Sequence, residues 1–124
     1  MNPASVSVCI ITYNQRDYIE ECLESVLAQK CNFNWDIILN DDNSTDGTSE
    51  ICHRIALNSG GRISYQHNQA NLGMIGNWVD CIRRSEGKYV AICEGDDYWT
   101  DRNKLQKQFD MLEAHPQYSG CFHN

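Results

Sequence analysis

The chain has 124 residues, of which 41% are hydrophobic and 22% charged, a balance that fits one compact globular domain and excludes a disordered tail. Ten Lys plus Arg stand against 17 Asp plus Glu, a formal net charge of −7 that argues against a nucleic-acid partner or an unassisted anionic membrane surface. A phosphate-bearing ligand stays open, with a metal ion needed to mask the repulsion. The seven cysteines are odd in number, form no CxxC pair and fall mostly inside apolar periodic segments. They read as small buried hydrophobes rather than a disulfide framework or a zinc site, which favours a cytoplasmic chain. No basic-then-apolar leader and no membrane-length apolar run is present, so any membrane association is left to a longer parent protein.

Val6 to Thr12 is a nearly continuous apolar run rich in branched residues and predicts a strand covered on both faces. Asn14 is the expected cap of the next helix, with Asp17 three positions on as an approximate capping box. Tyr18, Ile19, Cys22, Leu23, Val26 and Leu27 then recur at helical spacing, and this helix should end near Gln29. A second strand fits Trp35 to Leu39. The polar cluster from Asn40 to Gly47 is too dense to lie in a sheet and is expected as a loop with exposed backbone. Ser44 or Thr45 would cap the following helix, whose inner stripe is Ile51, Cys52 and Ile55 and whose end is marked by Asn58-Ser59-Gly60-Gly61.

A short strand over Ile63 to Gln66 and a helix over Gly73 to Arg84 come next. Gly87 turns the chain into a strand over Tyr89 to Cys93. The acidic turn Glu94-Gly95-Asp96-Asp97 leads to a helix over Asp101 to Ala114, with Leu105, Phe109 and Leu112 inward and Pro116 as its stop. Tyr118 to Phe122 resembles one more strand. Alternating strands and helices predict an α/β fold, a mostly parallel central sheet between two helix layers. Ligands of such sheets collect beyond the carboxyl ends of the strands, so the Asp-rich loops at Asp41 and Asp96 should meet on one edge.

Glu94, Asp96 and Asp97 lie close together with no basic residue among them. Like charges held close raise each other's cost of ionisation, and a hard divalent cation offsets that cost through oxygen ligands. The plain alternative is a solvated turn. In the first loop, one of Asp41 and Asp42 would recognise a base or sugar hydroxyl while the other fixes the turn. Asp42, Ser44, Asp46 and Gly47 imitate the opening of a calcium loop, but His53 stands where the bidentate Glu belongs and a strand precedes the loop. No GxGxxG or GxxxxGK pattern occurs. The glycine pair at Gly73 and Gly76 permits close backbone approach, and the helix start there offers N–H groups to an anion. Tyr13, directly after the first strand, either stacks on a planar base or packs at the rim.

Several stretches together resemble the nucleotide-sugar-binding half of bacterial family 2 glycosyltransferases, enzymes with a GT-A fold. Val6-Ser7-Val8-Cys9-Ile10-Ile11-Thr12-Tyr13-Asn14 is similar to the family's V-S-V-I-I-P-x-Y-N opening, with Thr12 in place of proline. Asn40-Asp41-Asp42-Asn43-Ser44-Thr45-Asp46-Gly47-Thr48 resembles its D-D-x-S-x-D-G-T loop. Asn68, Asn71, Gly73 and Asn77 loosely match N-x-G-x-x-x-x-x-N, and the run from Glu86 to Asp97 resembles G-x-Y-I-x-x-L-D-x-D-D, with Glu94 replacing the first acid.

The resemblance implies a truncated three-layer GT-A domain in which residues 1–124 form the nucleotide-sugar-binding part and the acceptor-binding part is absent. It implies a nucleotide-diphosphate sugar as donor, most simply a UDP-sugar, and Mg²⁺ or Mn²⁺ as cofactor. The sugar would pass to a saccharide or lipid-linked acceptor with inversion, and the general base is expected beyond residue 124. Transfer by this chain alone would then be incomplete. The substrate-binding residues carried over are Tyr13, Asn14, Asp41, Asp42, Gly73, Asn77, Glu94 and Asp96, with Asp96 and Asp97 as metal ligands. An uncovered sheet edge would allow self-association. Two other readings stay open. A metal-dependent nucleotidyltransferase is disfavoured by the missing glycine-rich basic loop after the first strand. A noncatalytic nucleotide-binding or assembly module would be favoured if neither nucleotide nor metal bound.

Overall fold

The computed structural model describes residues 4–121. Four strands, β1 (Val6–Thr12), β2 (Trp35–Asp41), β3 (Ile63–His67) and β4 (Tyr89–Glu94), form one sheet in the order β3-β2-β1-β4, and every neighbouring pair is parallel. Helices α1 (Ile19–Leu27), α2 (Thr48–Leu57), α3 (Gly73–Arg84) and α4 (Lys104–Ala114) follow the strands in turn. The expected α/β class and its parallel sheet are present. β1 is buried along its whole length because it has a strand on either side and helices on both faces. That double cover is what its unbroken apolar sequence signalled.

The larger core lies on the face toward α1, α2 and α4. Val6, Val8 and Ile10 of β1 and Ile37 and Leu39 of β2 meet Ile19, Cys22, Leu23 and Val26 of α1, Cys52 and Ile55 of α2 and Leu105 of α4. Phe109 on α4 stacks on Phe33 with ring centroids 4.2 Å apart. Among the described residues the opposite face carries α3, over Cys9, Ile11 and Ile38. α3 lies against the sheet through its smaller and more polar side. Asn77 and Cys81 are buried, the Cys81 thiol donates to the Ile38 carbonyl at 3.2 Å, and Met74, Ile75, Val79 and Ile82 remain exposed.

Four local expectations are corrected. β2 continues through Asn40 and Asp41, both fully buried, because strand pairing with Gln66 and His67 and a set of side-chain hydrogen bonds satisfy them there. Asn14 does not cap α1. Its φ is +49°, its Oδ1 accepts the Thr45 N–H at 2.8 Å, and the Gln15 carbonyl accepts from the N–H groups of Tyr18 and Ile19 instead. Neither Ser44 nor Thr45 caps α2: the Ser44 hydroxyl accepts the Asn14 N–H, the Thr45 N–H is held by Asn14 Oδ1, and α2 starts after Gly47, whose φ of +105° suits glycine, with Asp46 accepting the Thr48 N–H at 3.0 Å. Finally, residues 118–121 are not a strand; Phe122, the end of that expected element, lies outside the described residues.

Candidate functional site

The carboxyl ends of all four strands point to one edge. There the loop after β2 and the turn after β4 flank the end of β1: the Asp42 N–H donates to the Thr12 carbonyl and the Gly95 N–H to the Ile11 carbonyl, each at 2.9 Å. A cleft of about 490 Å³ opens between them. Its walls are Thr12, Tyr13 and Gln15 from β1 and the turn beyond, Asp42, the start of α3 at Gly73 and Met74, and Glu94 at the end of β4. The two acidic loops, distant in sequence, therefore contribute to one edge as the topology required.

Asp42 is held by α3. Its Oδ1 accepts the Leu72 N–H at 2.7 Å and the Asn68 Nδ2 at 3.0 Å, and its Oδ2 accepts the Gly73 N–H at 3.0 Å. The Asn71 side-chain amide donates to the Asp42 carbonyl at 2.6 Å. Leu72 and Gly73 begin α3, where backbone N–H groups lack intrahelical partners, so a carboxylate from another element serves as the cap. Gly73 has φ +80°, a conformation a side chain would strain, and nothing crowds its missing Cβ.

Asp41 turns away from the cleft. Its carboxylate is fully buried and receives the Ser44 N–H at 3.0 Å, the Tyr65 hydroxyl at 2.8 Å and the Ser49 hydroxyl, with His67 Nδ1 at 3.3 Å. Burial by itself would raise its pKa; the hydrogen bonds from Ser44, Ser49 and Tyr65 together outweigh this and hold it below the ordinary carboxylate value. On the donor side, burial and the Asp41 hydrogen bond push the Tyr65 phenol up. Asp41 thus fixes the loop, while Asp42 lines the cleft.

The other anticipated residues divide in the same way. Tyr13 is 51% exposed on the cleft wall, its ring accessible to a planar partner. Asn14 spends its side chain on Thr45 and supports the first loop from outside the cleft. Asn77 lines the cleft but is almost fully buried, with its Oδ1 accepting from Asn68 and its Nδ2 donating to the Asn40 carbonyl at 3.3 Å. Glu94, Asp96 and Asp97 are all exposed, and one carboxylate oxygen from each lies within 4.8 Å of the others. The Asp97 N–H bonds the Glu94 carbonyl at 2.9 Å and closes the turn that gathers them.

Sequence reasoning passed over Gln15, which lines the cleft and accepts from the Thr12 hydroxyl at 2.8 Å, and the group Ser49, Tyr65 and His67 around Asp41. None carries a spacing signal, since their meeting is a product of the fold. Gly95 is also constrained in a way its turn position did not reveal: a Cβ there would collide with the Gln15 amide and lie 2.8 Å from the Thr12 hydroxyl.

Residues 7–123 match the family described as glycosyl transferase family 2. The chain belongs to that family. An uncharacterised protein of Mycobacterium tuberculosis is 41% identical over 118 residues, covering 95% of this chain and 34% of the relative. The Escherichia coli UDP-Glc:alpha-D-GlcNAc-diphosphoundecaprenol beta-1,3-glucosyltransferase WfaP is 34% identical over 109 residues, 88% of this chain and 41% of its own. Among solved structures, S. aureus TarS in complex with UDP superposes with a TM-score of 0.76 at 26% identity, over 90% of this chain and 33% of that one. The chain spans between a third and two-fifths of the length of these curated relatives. This family 2 domain has no helix among its described residues long and apolar enough to cross a membrane.

Proposed function

We propose that this chain binds the nucleotide-sugar donor of a family 2 glycosyltransferase that transfers the sugar, with inversion, to a saccharide or lipid-linked acceptor. The observation that carries the reading is the convergence of Asp42 and the Glu94-Asp96-Asp97 turn on opposite sides of the end of β1, with Asp42 and Glu94 lining one cleft. Asp42 accepts a hydrogen bond from the base, Tyr13 stacks on it, and the diphosphate extends toward the acidic turn. The similarity to WfaP and to UDP-bound TarS supports a UDP-sugar as the donor class and, from WfaP, a lipid-linked saccharide as one acceptor class.

The acidic turn fits a divalent cation on its donor chemistry. Three exposed carboxylates provide hard oxygen ligands close enough to share one ion, as Mg²⁺ or Mn²⁺ requires. Asp96 and Asp97 would hold it, with Glu94 reaching from the cleft wall. When bound, such an ion neutralises charge on the departing diphosphate. The chain's own residues orient the donor: Asp42 and Tyr13 at the base, Gly73 by admitting close approach of backbone, and Gln15 beside Glu94.

Calorimetric titration with UDP, with and without Mn²⁺ and with CDP as the control, tests the proposal. Metal-dependent binding that prefers UDP is the expected result. Binding of neither nucleotide in the presence of Mn²⁺ overturns the donor-site reading for this chain.

A further inference from the structure

Asn68, just past β3, is 5% exposed and uses both donors and one acceptor position of its side chain. Its Nδ2 donates to Asp42 Oδ1 at 3.0 Å and to Asn77 Oδ1 at 2.9 Å, and its Oδ1 accepts from Gln66 Nε2 at 3.0 Å. Gln66 Nε2 also donates to Asp80 Oδ2 at 2.8 Å, where the Asn40 amide donates at the same distance. This surrounding set fixes which way the Asn68 amide points. Turned over, its oxygen would face two acceptors and its nitrogen would face the Gln66 donor.

A carboxylate has about four acceptor positions. On Asp42, two on Oδ1 are taken by Asn68 and Leu72 and one on Oδ2 by Gly73. One position on Oδ2 is left for a ligand. We infer that Asn68 is a positioning residue for base recognition: it locks Asp42 so that a single acceptor is offered to the nucleotide. The inference rests on the donor-site reading and deepens it. A lone, fixed acceptor facing the ring-nitrogen edge of a base favours uracil or guanine, which carry a ring N–H there, over cytosine and adenine, whose corresponding ring nitrogens are themselves acceptors.

The role is distinguishable from mere packing because Asn68 acts through Asp42. UDP affinity in the presence of Mn²⁺ is measured for the wild-type chain, Asn68→Asp, Asp42→Asn and the double variant. Asn68→Asp keeps the shape but sets a carboxylate against Asp42. It is expected to weaken UDP binding about tenfold or more, the scale of a lost hydrogen bond to a charged group. In the Asp42→Asn background the same change should cost less than about twofold. Equal losses in the two backgrounds, or no loss in the wild-type background, overturn the inference. If Asn68→Asp does not fold, Asn68→Ser, which retains a shorter donor and adds no charge, takes its place in the same cycle, with a smaller loss that must again vanish beside Asp42→Asn.

A ligand-free measurement separates this inference from the donor-site reading. The backbone amide resonances of Leu72 and Gly73, whose N–H groups both point at Asp42, should move on substitution of Asn68. Failure of the wild-type chain to bind UDP removes the donor-site reading and with it the claim about base choice. Unmoved Leu72 and Gly73 resonances overturn the positioning role itself, whether or not UDP binds.

Discussion

Asp42 caps a helix to which it does not belong: its Oδ2 lies 3.0 Å from the N–H of Gly73, the first residue of α3, more than thirty positions along the chain. One carboxylate thereby ties the end of β2 to the start of α3 and lines the cleft between them. Fold and binding share this residue, and substitutions should reveal both roles.

Asp42→Ala removes three hydrogen bonds to a carboxylate and leaves the Leu72 and Gly73 N–H groups without their cap. A loss of about 1–3 kcal/mol in unfolding free energy is expected, read from urea denaturation. UDP affinity should fall as well, measured at a urea-free temperature where the variant stays folded. A variant with unchanged stability would show that water replaces the cap at no cost.

Asp41 makes an acid-dependent contribution of its own. Its folded pKa lies below the ordinary value of 3.8, so the stabilisation is complete above that value and is lost as pH falls through the lower, folded one. The stability advantage of the wild-type chain over Asp41→Asn should therefore be constant from about pH 7 to pH 5 and shrink below about pH 4. At neutral pH it should amount to about 1–2 kcal/mol, because the Ser49 and Tyr65 hydroxyls can partly reorient toward an amide. Parallel curves down to pH 3 would contradict the assignment of Asp41 as the hydrogen-bonded hub.

Much of this is legible in the sequence alone. The unbroken apolar run of β1 and the alternation of periods specified a buried parallel sheet, and sheet topology then forced the two acidic loops to a common edge. What the sequence could not disclose was competition among polar groups. Asn14 has the side chain of a helix cap, yet the loop beyond β2 offered it a better partner in the Thr45 N–H. Asn40 and Asp41 read as loop residues because their polar side chains are costly in a sheet; Ser49, Tyr65 and Asp80, which remove that cost, arrive from three other elements. Which of Asp41 and Asp42 lines the cleft depends on the positions of their donors, which the sequence does not show.

The acidic turn should respond to charge removal without unfolding. Asp97 is exposed, so Asp97→Asn should leave the melting temperature within about 2 °C of wild type, as surface substitutions do. Mn²⁺-dependent UDP binding should weaken by about tenfold, while the residual metal-free binding stays the same. Equal Mn²⁺ enhancement in the two proteins, by calorimetry, would remove Asp97 from the proposed ligand set.

Two glycines that both resist a side chain should fail differently. A Cβ on Gly87 would lie 2.5 Å from the Ser7 nitrogen, 2.8 Å from the Tyr89 carbonyl oxygen and 2.9 Å from the Val6 carbonyl carbon, all backbone of the sheet. Those atoms cannot yield without disturbing β1 and β4, so Gly87→Ala should cost about 2–3 kcal/mol of stability. On Gly95 the obstruction is the Gln15 amide together with the Thr12 hydroxyl and the Thr12 Cβ, 2.9 Å away. The Gln15 end can swing aside, which moves a cleft wall, but Thr12 is buried on β1 and cannot, so part of the cost in stability stays. Gly95→Ala should thus lose UDP affinity with the smaller thermal shift of the two, whereas Gly87→Ala, opposed by backbone alone, should show the larger one.

Thiol chemistry offers a measure of how tightly the two helix layers hold the sheet. Cys9, Cys22, Cys52, Cys81 and Cys93 are buried, while Cys31 and Cys121 are partly accessible. Burial pushes the Cys31 thiol up to about 11, with nearby Arg62 opposing it only weakly, so little reactive thiolate exists there at neutral pH. Cys22, hydrogen-bonded to Cys93 across 3.8 Å between sulfurs, is raised as well, and burial raises Cys52. A disulfide reagent at pH 7.5 should therefore modify Cys121 first and Cys31 more slowly. The other five should react only through opening of the fold, at a rate that climbs with urea in step with the loss of stability. Because Cys22 and Cys93 join α1 to β4, while Cys81 and Cys9 join α3 to β1, peptide mapping of the labelled sites would show which layer opens first. Rapid labelling of more than two thiols in the absence of urea would show that one layer is already loose in the native state.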